Sequence, residues 1–223
     1  MTARPPERRE SDAISPKDRF ITVYGRNPVL EALSDPGLHV DKVLLSDSAR
    51  GPHVSEIVAA ARRSSTPLQR VSAERVKKIA GNGKQDQGVC ADVVAPAMQP
   101  LDAALAGGLS GPVLVLDGIT TPANVGMILR TGTGAGFAGI VVPRRGVASI
   151  DPLVVKASAG VAFRAPILKC ATADDAVESL RHNGFHVVGL DADAESSLYE
   201  ARMPVNTAYV LGGETAGLSP AVA

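Results

Sequence analysis

The fold is decided by residues 113–131, which read VLVLDGITTPANVGMILRT. The first four residues form a short aliphatic run, as in a strand that is buried on both faces of a parallel sheet. A polar turn with Gly, Thr and Pro follows, and the chain then continues as a helix. Open α/β sheets bind ligands at the carboxyl ends of their strands, so this turn is the first place to look for a site.

The same alternation of apolar strands and helices continues towards the C-terminus. It predicts a parallel α/β domain over residues 112–223. Helices are predicted from about residue 123 to 135, from Asp151-Pro152, and from Thr172 to Gly184, with caps at Asp151 and Thr172. The predicted strands are Val113–Leu116, Gly139–Val142, Pro166–Leu168, His186–Leu190 and Ala208–Leu211.

The pattern of strands and helices over residues 20–96 predicts a separate, smaller α/β domain. A linker is predicted over residues 97–111, which are rich in Gly and Pro, and a disordered cytoplasmic tail over residues 1–19. Asn27 is predicted to cap a helix that starts at Pro28, and residues 81–88 to form a flexible loop. The predicted elements are strands 21–24, 40–45, 67–71 and 89–94, and helices to Leu33, from Val54 to Arg63 and from Ser72 to about Gly81.

Composition excludes several classes of protein. The chain has 223 residues, 45% of them hydrophobic, and no apolar run approaches the roughly 20 residues of a membrane span. Cys90 and Cys170 lack the spacing of a metal or redox site and are predicted to be buried thiols. The net charge is zero, but residues 62–84 hold seven Lys and Arg side chains and one acid, which predicts a local positive field or an ordinary solvated face.

Two residues of the opening segment are candidates for chemistry. Asn124 stands where the turn enters the helix, and Arg130 follows six residues later, on a different helix face. Helix capping alone would explain Asn124, and a surface salt bridge would explain Arg130. Both could still flank one cleft if Asn124 acts from the turn.

A second polar segment, VLGGETAGLSP at residues 210–220, follows the last predicted strand. Paired glycines let the backbone approach a flat ligand such as adenine, although a plain turn would also need them. The strand end at Leu190 and Asp191 would lie beside this segment if the two strands are neighbours. A dinucleotide fingerprint is excluded, because Gly132, Gly134 and Gly136 end a helix and lack the required spacing.

Together these segments resemble the SpoU (TrmH-like) family of RNA ribose 2′-O-methyltransferases. The family motif Asn-x-Gly-x-x-x-Arg is met by Asn124, Gly126 and Arg130, and Gly-x-Glu-x-x-Gly-x-Ser by Gly212, Glu214, Gly217 and Ser219. Residues 155–162 are similar to the family's intermediate helix. Residues 24–33 and 87–89 resemble the ribosomal-protein-like substrate-binding domain of many members.

The resemblance implies a SPOUT (α/β-knot) methyltransferase domain behind a small RNA-binding domain, acting as a cytoplasmic homodimer with S-adenosylmethionine and no metal. Its implied substrate is structured RNA, 23S ribosomal RNA before transfer RNA. The implied residues are Arg130, Asn124 and Glu214 for catalysis, Leu190, Asp191, Leu211, Gly212, Gly213, Gly217 and Leu218 for the cofactor, and Arg26 and Asn27 for RNA. The run of basic side chains adds further RNA-binding candidates, namely Arg62, Arg63, Lys77, Lys78 and Lys84.

One departure from the family pattern concerns its third motif, Ile-Pro-Met followed by Ser-Leu-Asn-x-Ser, which contributes to the cofactor pocket, the knot and the dimer. The sequence ends at Ala223 without it. We expect the natural protein to carry a further C-terminal piece, because half a pocket would expose apolar surface. The alternative is a non-catalytic RNA-binding protein that keeps the fold, and a nucleotide-dependent oxidoreductase rests only on analogy of fold.

Overall fold

Residues 20–94 form a four-stranded sheet with helices on both faces. The computed structural model describes residues 18–81 and 85–222. The elements of this first unit are β1 (Phe20–Tyr24), α1 (Arg26–Ser34), β2 (Val40–Ser46), α2 (Pro52–Arg63), β3 (Leu68–Val71), α3 (Ala73–Ala80) and β4 (Val89–Val94).

The first sheet has the strand order β1-β4-β2-β3. Strand β4 is antiparallel to β1 and β2, and β3 is parallel to β2. Alternate strand residues such as Val43 and Val89 face α1 and α2, whereas Leu44 and Cys90 face Val76 of α3. This alternation is what a sheet covered on both faces requires.

The second unit is a sheet of six parallel strands in the order β5-β8-β7-β6-β10-β9. Helices α5 and α6 cover one face, and α4 and α7 cover the other. Its elements are β5 (Gln99–Pro100), α4 (Leu101–Ala106), β6 (Val113–Leu116), α5 (Pro122–Gly134), β7 (Gly139–Val141), α6 (Pro152–Ala157), a 3-10 turn (Val161–Phe163), β8 (Ile167–Lys169), α7 (Ala173–His182), β9 (His186–Leu190) and β10 (Thr207–Leu211).

The strands and main helices of both units agree with the sequence-based prediction to within one or two residues, and the α/β class with its parallel second sheet is confirmed. The linker predicted over residues 97–111 was wrong. This segment contains β5, which pairs with β8, and α4, which buries Leu101 and Ala104. Both elements are too short to produce a periodic apolar pattern, so glycine and proline dominated the prediction.

Helix caps were predicted with mixed success. Asp151 accepts hydrogen bonds from the amides of Leu153 and Val154, and the Thr172 side chain accepts from the amide of Asp175, as predicted. The capping role of Asn27 was wrong, because α1 begins one residue earlier, after Gly25, without a side-chain cap. Gly25 has a φ of 90°, a conformation that favours glycine over asparagine.

The two units contact each other directly. One apolar cluster includes residues of the α1–α2 face of the first sheet, Met98, and residues of the α5–α6 face of the second. The Tyr24 hydroxyl donates to Asp151 Oδ2 at 3.4 Å. Asp18, assigned to the disordered tail from the sequence, is buried and pairs with Arg144 of the second unit. A tail over residues 1–17 lies outside the described residues.

Within residues 18–81 and 85–222, no helix combines the length and the apolar character that crossing a bilayer would require.

Candidate active site at the carboxyl edge of the parallel sheet

Three neighbouring strands of the second sheet end at the same level. Leu116 of β6 is in register with Leu211 of β10, which is in register with Leu190 of β9. The residues that follow these strands therefore share one edge of the sheet. Strands β9 and β10 are neighbours, which was the condition for Leu190 and Asp191 to lie beside the glycine segment. Asp191 comes one residue after Leu190, the register partner of Leu211.

The two polar segments singled out from the sequence meet at this edge. Asn124 Nδ2 donates a hydrogen bond to Glu214 Oε1 at 2.7 Å, across 90 residues of chain. Asn124 does not cap α5, as its position had suggested, because Thr121 is the N-cap residue and no side chain caps there. The Asn124 side chain is therefore committed to a tertiary contact between the segments.

Arg130 lies on α5 beyond Asn124, about 9 Å further along the helix axis. Its side chain is exposed and makes no hydrogen bond or ion pair with any residue that the structure describes. The surface salt bridge that the sequence left open is thus absent in the described part of the chain. An unpaired guanidinium is available to bind an anion from solution.

The glycine segment folds into a closed loop. The amides and carbonyls of Gly213 and Gly217 exchange two hydrogen bonds of 2.9 Å, which close a loop around exposed Glu214. A Cβ on Gly212 would overlap the carbonyl of Gly217 and lie 2.5 Å from the Leu218 nitrogen. Glycine is required at position 212 because backbone atoms, which cannot move aside, occupy the space of a side chain.

The loop also packs onto the neighbouring strand end. A Cβ on Gly189 of β9 would lie 2.6 Å from Leu218 Cδ1, so the Leu218 side chain rests on the β9 backbone. Leu190, Leu211 and Leu218 are all half-buried. The structure thus brings the predicted cofactor residues together as an apolar strand edge beneath a loop of backbone amides.

The sequence-based site omitted Asp117, which directly follows β6. Asp117 is only 6% exposed, and its Oδ2 accepts a hydrogen bond of 2.6 Å from the Ser219 amide. Its own amide donates to the Leu211 carbonyl at 3.0 Å. The sequence did contain a signal for Asp117, because it is an aspartate directly after a buried strand, and ligands bind at the carboxyl edge of a parallel sheet.

The predicted RNA-binding residues of the first unit do not form one surface. Arg26 and Asn27 open α1, directly after the carboxyl end of β1. Arg62 and Arg63 end α2, just before the amino end of β3. Because β1, β2 and β3 point the same way, the two pairs lie at opposite edges of the first sheet.

Lys77 and Lys78 occupy the last turn of α3, on the face of the sheet opposite α2. Both are exposed, and neither forms an ion pair with another described residue. The predicted residue Lys84 lies outside the described residues. The basic region of the sequence is therefore distributed around the unit rather than gathered into one patch.

The cysteines do not provide a nucleophile. Burial raises the pKa of the Cys90 thiol to about 12 and that of the Cys170 thiol to about 11. Cys90 is buried, as predicted, whereas Cys170 is half-buried. Since the thiolate is the reactive form, both side chains are inert near neutral pH.

Lys169, at the end of β8, is a perturbed cation at the same edge of the sheet. Burial, followed by repulsion from Arg144, lowers the pKa of its ammonium to about 8. Within the described parts of the chain, no group of three or more His, Cys, Asp or Glu side chains could hold a metal ion.

Comparisons with known proteins agree with this arrangement. Residues 111–223 match the model of the SpoU rRNA methylase family, and residues 22–99 match the model for RNA 2′-O ribose methyltransferase substrate binding. The chain is 32% identical over 202 residues to the 23S rRNA (guanosine-2′-O-)-methyltransferase RlmB of Xanthomonas axonopodis pv. citri, covering 88% of this chain and 80% of that protein. It is 30% identical over 200 residues to the protein of the same name from Xylella fastidiosa, with the same coverages.

Solved structures show the same fold at lower identity. The SpoU methyltransferase AviRb from Streptomyces viridochromogenes aligns with a TM-score of 0.56 and 21% identity, over 91% of this chain and 75% of that one. An rRNA methyltransferase from Sinorhizobium meliloti aligns with a TM-score of 0.54 and 22% identity, over 92% and 75%. Fold, site and comparisons together define an RNA methylase, and the chain belongs to the SpoU rRNA methylase family.

Proposed function

We propose that the protein transfers a methyl group from S-adenosylmethionine to a ribose 2′-hydroxyl of RNA. The observation that carries the proposal is the hydrogen bond between Asn124 and Glu214, which joins the two family motifs at one edge of the sheet. Family membership and relatives named for this reaction support the same chemistry.

The cofactor would be held by the strand ends and the glycine loop. S-adenosylmethionine would supply an electrophilic methyl group on a sulfonium, and its sulfur would leave as a neutral thioether as the C–S bond breaks. The residues present fit its adenosyl part, because a flat ligand can lie against apolar strand ends and bind backbone amides. The residues proposed to hold it are Leu190, Asp191, Leu211, Gly212, Gly213, Gly217 and Leu218.

Arg130 is proposed to stabilise the negative charge that develops on the ribose oxygen, or an adjacent phosphate. A guanidinium is almost always charged and rarely acts as a base, so electrostatic stabilisation is favoured over proton removal, and the hydroxyl proton would pass to solvent. Asn124 and Glu214 would orient the ribose, because their mutual hydrogen bond fixes both side chains. Positioning of this kind is most of what an in-line displacement requires.

The test of this role is the turnover of Arg130→Ala. We expect kcat to fall at least about 100-fold while the affinity for S-adenosylmethionine changes less than two-fold, as for the loss of a group that stabilises charge in the transition state. Arg181→Ala is the matched control, because Arg181 is an exposed arginine on α7, which covers the other face of the sheet. A variant at Arg130 that keeps half the native kcat would refute the assignment.

Ribosomal RNA is the proposed substrate, because the relatives at 30% identity or more reported above are named for 23S rRNA. Residues 20–96 would bind the RNA and residues 112–223, together with β5 and α4, would carry out the transfer. Because the proposed substrate is ribosomal RNA, we also propose that the protein acts in the cytoplasm.

A homodimer is proposed on the basis of apolar exposure at the α5–α6 crossing. Met127 on α5 is 54% exposed and Leu153 on α6 is 53% exposed, each beside a residue of the helix contact. Exposed large apolar side chains on adjacent elements are typical of an interface. Sedimentation equilibrium is expected to give twice the mass of one chain, and a single-chain mass at micromolar concentration would contradict this.

A further inference from the structure

The glycine loop, here residues 212–219, has little packing of its own. Residues 214–217 are all exposed, so no apolar burial fixes their position. The two hydrogen bonds between Gly213 and Gly217 define the shape of the loop but not its placement on the sheet. Its placement must therefore come from the Asn124–Glu214 hydrogen bond at its tip, from the Leu218 side chain on β9 and from contacts at its two ends.

Both ends of the loop are held by the turn that follows β6. At the first end, the Gly118 carbonyl oxygen lies so close to Gly213 that a Cβ there would come within 2.8 Å of it. At the second end, Asp117 Oδ2 accepts the 2.6 Å hydrogen bond from the Ser219 amide. Residues 117–118 thus contact both ends of the glycine loop.

The chemistry of the Asp117 contact makes it the stronger of the two supports. Hydrogen bonds from an amide to a carboxylate are shorter and about twice as strong as those between neutral groups. Taking a carboxylate out of water is costly unless it is well bonded, so Asp117 at 6% exposure would be unfavourable without the Ser219 amide. Loss of this carboxylate would leave the end of the loop without its partner.

We propose that Asp117 is a positioning residue that sets the affinity for S-adenosylmethionine by fixing the glycine loop through the Ser219 amide. The proposal rests on the proposed function, because it assumes that this loop holds the cofactor. Asp117 acts through the loop and needs no contact with the reacting atoms. Its removal should therefore raise KM for S-adenosylmethionine and leave kcat at saturating cofactor nearly unchanged.

The experiment is isothermal titration of S-adenosylmethionine into the full chain and three variants. We expect Asp117→Ala to raise Kd about ten-fold or more, as for loss of a hydrogen bond to a charged group. Asp117→Asn keeps an acceptor oxygen, so Kd should rise less than about five-fold. Asp35→Ala is the matched control, since Asp35 also accepts an amide, that of Gly37, but lies in the first unit, and Kd should stay within two-fold.

Steady-state kinetics separate positioning from a general loss of structure. For Asp117→Ala, we expect KM for S-adenosylmethionine to rise with Kd, while kcat and KM for RNA stay within about three-fold. A variant that loses kcat and RNA affinity together with cofactor affinity would contradict the proposal. Should Asp117→Ala fail to fold, Asp117→Asn, which keeps an acceptor oxygen but loses the charge, should still raise Kd by about two- to five-fold, and an unchanged Kd would contradict the proposal.

The outcomes also separate this proposal from the proposed function. Native chain that binds S-adenosylmethionine while Asp117→Ala binds equally well would overturn only the role of Asp117. Full-length natural protein that gives no heat with millimolar S-adenosylmethionine would overturn the cofactor assignment and the role of Asp117 with it.

Discussion

The crossing of α5 and α6 yields a graded prediction, because α5 carries three glycines in different surroundings. A Cβ on Gly126 would lie 2.5 Å from the Ala157 Cβ and 2.7 Å from the Val154 carbonyl oxygen. Carbon atoms in contact normally lie about 3.5–4.0 Å apart, so Gly126→Ala would push the helices apart by roughly 1 Å. Overpacking against backbone atoms costs about 1–3 kcal/mol, and we expect a loss of unfolding free energy in that range.

The other two glycines provide controls on the same helix. A Cβ on Gly132 would meet the ends of the Ile140 and Leu114 side chains at 2.9 and 3.0 Å, and these ends can rotate away. Gly132→Ala is therefore expected to cost less than about 1 kcal/mol. Gly134 has no atom within 4 Å of its Cβ position, so Gly134→Ala should stabilise the protein by about 0.4–1 kcal/mol through the entropy of the unfolded chain.

Urea unfolding followed by circular dichroism gives the three unfolding free energies under identical conditions. The expected order of stability is Gly134→Ala above the native chain, then Gly132→Ala, then Gly126→Ala. A Gly126→Ala variant as stable as the native chain would refute the close packing of α5 on α6. The reverse order, with Gly126→Ala as the most stable variant and Gly134→Ala as the least stable, would also refute this packing.

Two further predictions follow from the charged residues. The folded state lowers the pKa of Lys169 from 10.5 to about 8, so at pH 7 its half-buried charged ammonium costs folding free energy. Between pH 8 and 10.5 the unfolded chain holds a proton that the folded chain has lost. Lys169→Met should therefore be more stable than the native chain at pH 7 by about 3 kcal/mol, an advantage that shrinks as the pH rises from about 8 to 10.5; a constant difference across this range would contradict it. Replacing exposed Lys77 and Lys78 by Ala should weaken RNA binding at 50 mM salt and reduce the slope of log K against log salt concentration by up to about 2. An unchanged slope in filter binding would show that α3 is not part of the RNA-binding surface.

The sequence was sufficient for most of the secondary structure because the strands of the second unit are short aliphatic runs. It failed at β5 and α4, where a two-residue strand and a six-residue helix leave no periodic signal between glycines and prolines. The prediction of helix caps was correct at Asp151 and Thr172, where the partner amide is local in sequence. It failed at Asn124, whose partner Glu214 lies 90 residues away.

The candidate site was predictable as a location and only partly as a set of contacts. The location at the carboxyl edge of the sheet followed from the two polar segments, since each comes directly after an apolar strand. The role of Asp117 could not be derived from the sequence, because its partner is a backbone amide that any residue at position 219 except proline would supply. The spread of the basic residues around the first sheet was equally hidden, since sequence proximity does not determine which edge each helix end reaches.

The most direct test of the central claim is the transfer of radiolabelled methyl from S-adenosylmethionine to ribosomal RNA by the native chain. After complete digestion, the label is expected in a 2′-O-methylated nucleoside, and the Arg130→Ala variant should incorporate almost none. Label found on a base, or equal incorporation by the two proteins, would contradict the account.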